Sequence, residues 1–201
     1  MTYFNSKQFS ENWTNRAIFR VDRDARKEVF ANLIPKDVTK VLEVGCNAGY
    51  NLISMYFNNN DYDLTGIDNL KYAIDESKKR WEKFIKFFVA DARDIPFPDN
   101  SFDLVLTSGL LGWIKYNELS TVINELTRVS NRYVLAIDHA FVGDIKPFLE
   151  FELIVSYRGK PLYIVRKYDD YFPGCKVIKH IDRLPVEFSG IPMSAWLFEK
   201  I

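Results

Sequence analysis

The feature that most constrains the fold is the stretch 41–52, which reads Val-Leu-Glu-Val-Gly-Cys-Asn-Ala-Gly-Tyr-Asn-Leu. Its first four residues are mostly apolar and predict a short buried strand, and residues 45–49 predict a tight turn into a helix that begins near Tyr50. Glycine at position 45 lets a ligand lie against the backbone where a Cβ would collide. The unpaired N–H groups at the start of the helix offer donors to a polar ligand. The stretch therefore predicts a ligand-binding loop between a strand and a helix.

One carboxylate, Glu43, stands inside this otherwise apolar strand. Burying a carboxylate without partners is unfavourable, so Glu43 needs an explanation. It could accept hydrogen bonds from a cationic ligand or from the amides of the turn, or it could simply brace the turn. The loop is not the dinucleotide fingerprint G-x-G-x-x-G, because Asn47 and Tyr50 stand where that fingerprint needs glycine.

The composition narrows the class of protein. The chain has 201 residues, 47% of them hydrophobic, and 27 acidic side chains balance 27 basic ones. No overall field therefore attracts nucleic acid or an anionic membrane, and no apolar run or signal-peptide pattern predicts a membrane segment. The two cysteines, Cys46 and Cys175, are far apart and form no C-x-x-C. We expect a globular cytoplasmic protein with a small-molecule partner; the sequence does not indicate an oligomeric state.

The chain alternates between helical and strand-like patterns. Apolar residues recur at helical spacing in several segments, and short apolar runs lie between them. Alternation of this kind predicts a mainly parallel sheet with right-handed crossovers. The predicted helices are 24–34, 50–57, 70–81 and 117–128, and the predicted strands are 41–44, 62–67, 85–89, 102–106 and 131–137.

We expect one domain over residues 1–201, in which about 1–35 form a polar lead-in and a helix. The pattern loosens over about 140–173, where glycines, prolines, aromatic and charged residues mix. This segment predicts an irregular insertion on the substrate side. Two final strand-like runs, 175–182 and 195–199, predict a hairpin at the edge of the sheet.

Polar residues follow the ends of successive predicted strands. Asp68 stands about twenty residues beyond the loop, where a nucleotide-binding α/β unit places the acid that accepts ribose hydroxyls. Aspartate is also a favoured N-cap, so Asp68 could instead cap the following helix. Asp91, beside Ala92, could accept a hydrogen bond from an adenine amino group. Because strand ends of an open α/β sheet meet at one edge, we expect a ligand beside Gly45, Asp68, Asp91 and Ser108.

Four successive motifs resemble those of the class I S-adenosylmethionine (SAM) dependent methyltransferases. They are V-L-E-V-G-C-N-A-G, T-G-I-D, A-D-A and P-F-P-D-N-S-F-D-L-V, in the family's order, over about residues 40–140. Asn47 departs from the pattern, since many members have glycine there. The resemblance implies SAM as the cofactor and an α/β fold: a Rossmann-like, doubly wound, seven-stranded sheet, mostly parallel with an antiparallel last strand.

The same resemblance implies roles for individual residues. In the family the acid matching Asp68 holds the ribose, residues matching Asp91 and Ala92 flank adenine, and the loop faces the methionine end. We expect Trp113, Tyr157 and Arg158 on the substrate side. The residues implied to bind the cofactor are Glu43, Gly45, Asn47, Gly49, Asp68, Asn69, Asp91, Ala92 and Ser108.

His139 is the candidate general base. It follows the fifth predicted strand at the ligand edge, where it would deprotonate an acceptor hydroxyl. The alternative is a packed or solvated histidine. With only His139 and His180, and no ligand spacing, the sequence predicts no metal site.

A narrower resemblance concerns the acceptor. The segments G-C-N-A-G-Y-N-L, L-T-R-V-S-N-R-Y-V-L, Y-R-G and W-L-F-E-K are similar to methylases associated with pseudaminic acid biosynthesis. This resemblance implies methyl transfer to an oxygen or nitrogen atom of a nonulosonate or a nucleotide sugar. Arg158 would bind the carboxylate or phosphate of that acceptor. The alternative is that Arg158 is a surface residue in a turn. A nucleic-acid or protein methyltransferase, and a SAM-binding protein without activity, stay open, although the basic run 78–80 is short and matches a solvated helix face.

Overall fold

The computed structural model describes residues 23–139, 152–157, 160–166, 168–169, 171–184 and 193–201. The predicted lead-in before residue 23 and Arg158 lie outside the described residues. The helices are α1 (Arg23–Leu33), α2 (Tyr50–Asn58), α3 (Lys71–Trp81) and α4 (Tyr116–Val129), with a 3-10 helix over Leu111–Trp113. The strands are β1 (Lys40–Val44), β2 (Asp63–Asp68), β3 (Lys86–Val89), β4 (Phe102–Ser108), β5 (Ser130–His139), β6 (Glu152–Tyr157), β7 (Lys160–Arg166), β8 (Cys175–Ile181) and β9 (Met193–Lys200).

Seven of these strands form one sheet in the order β3-β2-β1-β4-β5-β9-β8. Strands β1 to β5 are parallel to one another, whereas β9 is antiparallel to both β5 and β8. Six strands therefore run one way and the last strand of the chain runs the other way. This confirms the predicted Rossmann-like sheet and the predicted pairing of the two C-terminal strands.

Consecutive strand residues point to opposite sides, and the central strands of the sheet are covered on both faces, whereas the edge strands β3 and β8 are largely exposed. Val41 belongs to one buried apolar cluster, which contains residues of α1, α2 and α3. Leu42 belongs to the other, which contains the inner face of α4 and residues near Tyr168. Burial on both faces explains why the parallel strands are almost continuously apolar.

The segment after β5 differs from its prediction as an irregular insertion. Its described part contains an antiparallel hairpin, β6 with β7, separate from the main sheet. The alternating apolar residues on either side of Arg158-Gly159 are a hairpin signal that the prolines and charges concealed. Pro161 pairs opposite Ser156 at a register shift, as expected for a residue that has no N–H to donate.

The order of the strands places the ligand edge. Strand β1 lies between β2 and β4, so the chain passes outward in one direction through β2 and β3 and in the other through β4 and β5. Crossovers diverge at that point and leave a crevice at the carboxyl ends of β1 and β4. Strand β7 lies beside the 3-10 helix and β5, so the hairpin stands next to this crevice. Within the described part of the chain, no helix has the length and apolar character needed to cross a membrane.

Candidate functional site

The loop after β1 is a tight turn held by the neighbouring strand. The N–H groups of Gly45 and Cys46 both donate to the carbonyl of Ile67, at 2.9 and 3.0 Å, and the N–H of Gly49 donates to the carbonyl of Cys46 at 2.8 Å. Gly45 and Gly49 each have a φ of 77°. This left-handed conformation favours glycine, so both predicted loop glycines are required by the backbone.

Gly49 is also fixed by packing. A Cβ added there would lie 2.7 Å from Cε1 of Phe87, which is closer than carbon atoms can approach. Because Phe87 belongs to β3, this contact brings the start of α2 against the strands behind it. Gly49 therefore allows the helix to begin directly beside the sheet.

Asn47, which departs from the family pattern, adopts a φ of 47°. Asparagine is one of the few residues other than glycine that tolerate this region, so the loop keeps the shape that a glycine would give it. Its N–H donates to Oδ2 of Asp68 at 2.8 Å. Its own Oδ1 is buried and accepts no hydrogen bond from the described residues.

Asp68 ends β2 and connects two loops. Its Oδ2 accepts the Asn47 N–H, and its Oδ1 accepts the N–H of Leu70 at 2.9 Å. The residue that caps α3 is Leu70, so Asp68 braces the turn before the helix rather than occupying the N-cap itself. Burial raises the pKa of Asp68, and the two N–H donors oppose that change. Each carboxylate oxygen can accept a further hydrogen bond, which leaves capacity for a ribose hydroxyl.

Glu43 is buried, with 1% of its surface exposed. Its Oε1 accepts a hydrogen bond from Nδ2 of Asn51 at 2.6 Å, and Oδ1 of Asn51 accepts one from the Arg26 guanidinium. Oε2 of Glu43 is buried and accepts no hydrogen bond of normal geometry from the described residues. Burial raises the pKa of Glu43 to about 8, opposed by the Asn51 amide, the Arg26 charge and the Leu52 N–H.

The predicted alternative in which Glu43 accepts the amides of the turn does not match this geometry. The N–H groups of Gly45, Cys46, Asn47 and Gly49 donate to the carbonyls of Ile67 and Cys46 and to Asp68. Glu43 instead connects the strand to helix α2, while one of its oxygens stays available. The two other roles, ligand acceptor and structural brace, are both compatible with this arrangement.

Asp91, predicted to contact adenine, follows β3 and is held by Arg93. The guanidinium donates from Nε to Oδ1 at 2.9 Å and from Nη2 to Oδ2 at 2.6 Å, and its Nη1 donates to Oε1 of Glu118 at 2.6 Å. The Arg93 side chain lowers the pKa of Asp91, so the carboxylate is ionised at neutral pH. Oδ2 still has room for one more donor. Ala92 is half-buried beside it, and Asn69, after β2, is exposed.

The ends of β4 and β5 form the other side of the crevice. Ser108 ends β4 and pairs in register with Ile137, two residues before His139. Oδ2 of Asp138 accepts the N–H of Gly112 at 3.1 Å, which ties the 3-10 helix carrying Trp113 to β5. His139 ends β5 and is 6% exposed. Burial lowers the pKa of His139 to about 4, so the imidazole is neutral at pH 7.

The loop between Asp91 and β4 is held by an arginine that the sequence did not single out. Arg128 in α4 donates from Nη2 to the carbonyl of Ile95 at 2.9 Å and from Nη1 to the carbonyl of Phe97 at 2.9 Å. It also pairs with Glu125 and Asp99. The P-F-P-D-N segment therefore owes its shape to a side chain about thirty residues further along the chain.

The structure brings some predicted residues together and leaves others apart. Asn47 and Asp68 are in contact, and the charges of Glu43 and Asp68 are close enough to influence each other. Tyr157 ends β6, which belongs to the hairpin and not to the main sheet, and only its backbone is described. The sequence did not indicate Arg26, Asn51, Arg93 or Arg128, because the pattern around each is an ordinary amphipathic helix or polar loop.

The site has the chemistry that SAM requires. SAM carries positive charge on its sulfonium and ammonium groups, and the loop is flanked by the carboxyl groups of Glu43 and Asp68. Buried acceptors without described partners, Oε2 of Glu43 and Oδ1 of Asn47, lie at the same loop. Among the residues that the structure describes, no three metal-binding side chains come together.

Comparisons with known proteins agree with this geometry. Residues 41–132 match the family model described as a methyltransferase domain. The tRNA N(3)-cytidine methyltransferase METTL2 of Gallus gallus is 28% identical over 99 residues, which cover 45% of this chain and 27% of that protein. The mitochondrial arginine-hydroxylase NDUFAF5 of Rattus norvegicus is 28% identical over 145 residues, which cover 68% of this chain and 39% of that protein. The chain thus spans well under half of either relative.

A solved structure shows the same fold. The 1,6-didemethyltoxoflavin-N1-methyltransferase of Burkholderia thailandensis, with bound 1,6-didemethyltoxoflavin and S-adenosylhomocysteine, has a TM-score of 0.71 at 14% identity. The match covers 96% of this chain and 84% of that one. The fold and the loop define a nucleotide-binding α/β domain of the Rossmann-like class. Residues 41–132 of this domain, a little under half of the chain, are similar to a methyltransferase domain.

Proposed function

We propose that this protein transfers the methyl group of SAM to an oxygen or nitrogen atom of a small, sugar-like acceptor, a nonulosonate or a nucleotide sugar. The observation that carries the proposal is the joined loop: Asn47 and Asp68 bonded to each other, with Glu43 buried beside them. This arrangement offers carboxyl and amide oxygens as hydrogen-bond acceptors at the crevice beside β1 and β4. The acceptor part rests on the sequence resemblance.

The chain's own residues then have distinct tasks. A bound SAM supplies an already activated methyl group, so alignment of the acceptor atom can provide much of the rate. The loop and Asp68 orient the cofactor. His139, neutral at pH 7, accepts the proton of an acceptor hydroxyl, although its low pKa makes it a weak base. Asp138 holds the backbone at this point by accepting the N–H of His139 at 2.8 Å.

Three features support a small acceptor. The chain has no net charge, as is usual for enzymes that do not bind polyanions. The 3-10 helix that contains Trp113 and the β6–β7 hairpin lie next to each other beside the crevice, which is consistent with an acceptor pocket there. The neighbour from Burkholderia thailandensis was solved with a small molecule and S-adenosylhomocysteine bound.

Cysteine usage is the basis for proposing a cytoplasmic location: Cys46 and Cys175 are both free.

A second candidate is methylation of RNA. The similarity to a tRNA methyltransferase over 99 residues favours it, although that similarity covers only 45% of this chain. The similarity to an arginine-hydroxylase over 145 residues is a further reason to test methyl transfer directly. The two candidate functions share the cofactor and differ only in the acceptor.

The decisive experiment has two stages. S-adenosylhomocysteine and NAD are first compared by calorimetry and thermal unfolding; the proposal expects binding and a raised Tm with S-adenosylhomocysteine only. Purified protein is then incubated with SAM labelled in the methyl group and with nucleotide sugars, nonulosonates, tRNA and peptides. Label in a sugar product supports the proposal, and label in tRNA alone replaces it with the second candidate. Stabilisation by NAD and not by S-adenosylhomocysteine would overturn both.

A further inference from the structure

A chain of polar contacts runs from the first described helix to the cofactor loop. Arg26 of α1 donates to Oδ1 of Asn51 in α2, and Nδ2 of Asn51 donates to Oε1 of Glu43 in β1 at 2.6 Å. The Arg26 guanidinium also lies over the Tyr50 ring, 5.3 Å from its centroid. Three elements that are separate in sequence therefore meet at one buried carboxyl group.

The charges around Glu43 are unbalanced. Asp68 and the thiol of Cys46 face it from β2 and from the loop, and both of their pKa values are raised by burial. From α2 it faces the neutral Asn51 and Leu52, and from α1 it faces Arg26. Of these groups, Arg26 alone is a cation. Since charges interact strongly where water is excluded, the Arg26 charge favours the ionised form of Glu43, in addition to the hydrogen bonds from the Asn51 amide and the Leu52 N–H.

Asn51 lies between the Arg26 guanidinium and the Glu43 carboxyl group and holds both in place. Its amide can donate and accept at the same time, so it holds the carboxyl group on one side and the guanidinium on the other. It is itself buried in the first turn of α2, directly after the glycine loop. A shift of α1 would therefore move the positive charge relative to Glu43 without changing any residue of the loop.

We propose that Arg26 and Asn51 are positioning residues that favour ionisation of Glu43, so that the loop can present a negative charge to the ammonium end of a bound cofactor. The proposal rests on SAM being the cofactor. It assigns to helix α1 a part in cofactor binding, although α1 contributes no residue to the loop itself. Affinity for the cofactor then depends on the position of α1 relative to Glu43.

The test compares two ligands that differ in the amino acid portion. S-adenosylhomocysteine carries the ammonium, whereas 5′-methylthioadenosine has the same adenosine and thioether without it. For Arg26→Gln we expect the Kd of S-adenosylhomocysteine to rise about tenfold at pH 7, as one pKa unit on Glu43 would give, and the Kd of 5′-methylthioadenosine to stay within about twofold. Arg26→Lys keeps the charge and should retain most of the affinity. Lys27→Gln removes a neighbouring charge of the same helix and serves as the matched control.

A double-mutant cycle separates this role from a merely structural one. In a Glu43→Gln background, Arg26→Gln should change the affinity for S-adenosylhomocysteine no further, because the charge that it supports is already absent. In the wild type, affinity should increase from pH 6 to pH 8 as Glu43 ionises, and in Arg26→Gln this increase should move to higher pH. Urea titration confirms that each variant is folded.

Several outcomes would overturn the proposal. Equal losses for both ligands would show that Arg26 only stabilises the fold, and additive effects in the cycle would separate Arg26 from Glu43. Unchanged affinity in Arg26→Gln would remove the proposal while leaving SAM as the cofactor. If the wild type binds neither ligand, the cofactor assignment itself fails, and the proposal fails with it.

Discussion

The carboxylate of Asp68 accepts the backbone N–H of Asn47 at 2.8 Å, and this contact joins the end of β2 to the loop after β1. The same carboxylate accepts the N–H of Leu70 at 2.9 Å. A residue predicted to hold the cofactor ribose therefore also fixes the shape of the surface on which the cofactor lies. Substitutions of Asp68 should therefore change both the contact with the ribose and the shape of the loop.

Asp68→Ala should weaken binding of S-adenosylhomocysteine at least about tenfold, because a hydrogen bond to a charged group contributes roughly 1.5–3 kcal/mol. Asp68→Asn keeps one acceptor oxygen, so its affinity for S-adenosylhomocysteine should lie between those of the wild type and Asp68→Ala. Calorimetry at pH 7 measures both, with the exposed Asp75→Ala in α3 as control. Wild-type affinity in a folded Asp68→Ala protein would return Asp68 to a purely structural role.

Gly49→Ala should destabilise the protein strongly. The new Cβ would meet the Phe87 ring at 2.7 Å, in addition to the strain of a φ of 77°. Gly174 has a φ of 71° and nothing within 4 Å of an added Cβ, so Gly174→Ala carries only the backbone strain, about 1 kcal/mol. Urea unfolding of both variants isolates the packing part. Equal losses would mean that the Phe87 ring moves aside without resistance.

Glu43 should make the unliganded protein less stable as pH rises. Its pKa is raised from 4.5 to about 8, so between these values the folded state holds a proton that the unfolded state has lost, and stability falls with increasing pH. Glu43→Gln removes this dependence. We expect it to match the wild type near pH 4.5 and to exceed it at pH 8 by at least about 1 kcal/mol. Parallel stability curves from pH 4.5 to 8 would contradict this.

Arg128→Met should lower the free energy of unfolding by about 1–2 kcal/mol, because it leaves the carbonyls of Ile95 and Phe97 without their donors. Arg132→Met is the matched control: that side chain is 50% exposed, against 31% for Arg128, and it pairs with the carboxylates of Asp37 and Glu199 and lies over the Tyr133 ring. Its effect should be small and should vanish in high salt. Thermal unfolding of both variants distinguishes a side chain that holds backbone carbonyls from one that makes surface ion pairs.

His139→Gln should reduce kcat by a factor on the order of 10² to 10⁴ if His139 is the general base, with the Kd of S-adenosylhomocysteine unchanged. Because burial lowers the histidine pKa from 6.5 to about 4, the wild type should lose stability as pH falls from 6.5 to 4. The variant should lose less over that range. Unchanged kcat with a confirmed acceptor would leave the alternative of a packed histidine.

Much of the fold could be predicted because its signals are local. Strand patterns such as 41–44 and helix patterns such as 70–81 are read within one segment, and their alternation leaves few possible topologies. The hairpin β6–β7 was missed although its alternating residues flank a glycine, because Pro161 and several charges obscured the pattern. The helix boundaries were close throughout: the predicted 117–128 is Tyr116–Val129.

The candidate site was predicted less completely. The sequence indicated Asp91 as an adenine acceptor and gave no reason to consider Arg93, whose guanidinium holds both oxygens of that carboxylate. An arginine two residues from an aspartate is unremarkable in a polar loop. Its meaning depends on the path of the backbone, which turns Arg93 back toward Asp91 and Glu118.

The sequence by itself determined the class of fold, the position of the loop and the need for glycine at 45 and 49, because these follow from local periodicity and backbone conformation. The tertiary structure decided which polar groups meet. Asn47 and Asp68 are 21 residues apart, Arg26 and Asn51 are 25 apart, and Arg128 and Phe97 are 31 apart. No local pattern specifies where a long side chain ends. Those contacts exist because sheet order and helix packing bring distant segments together, and they set the charge and the shape of the site.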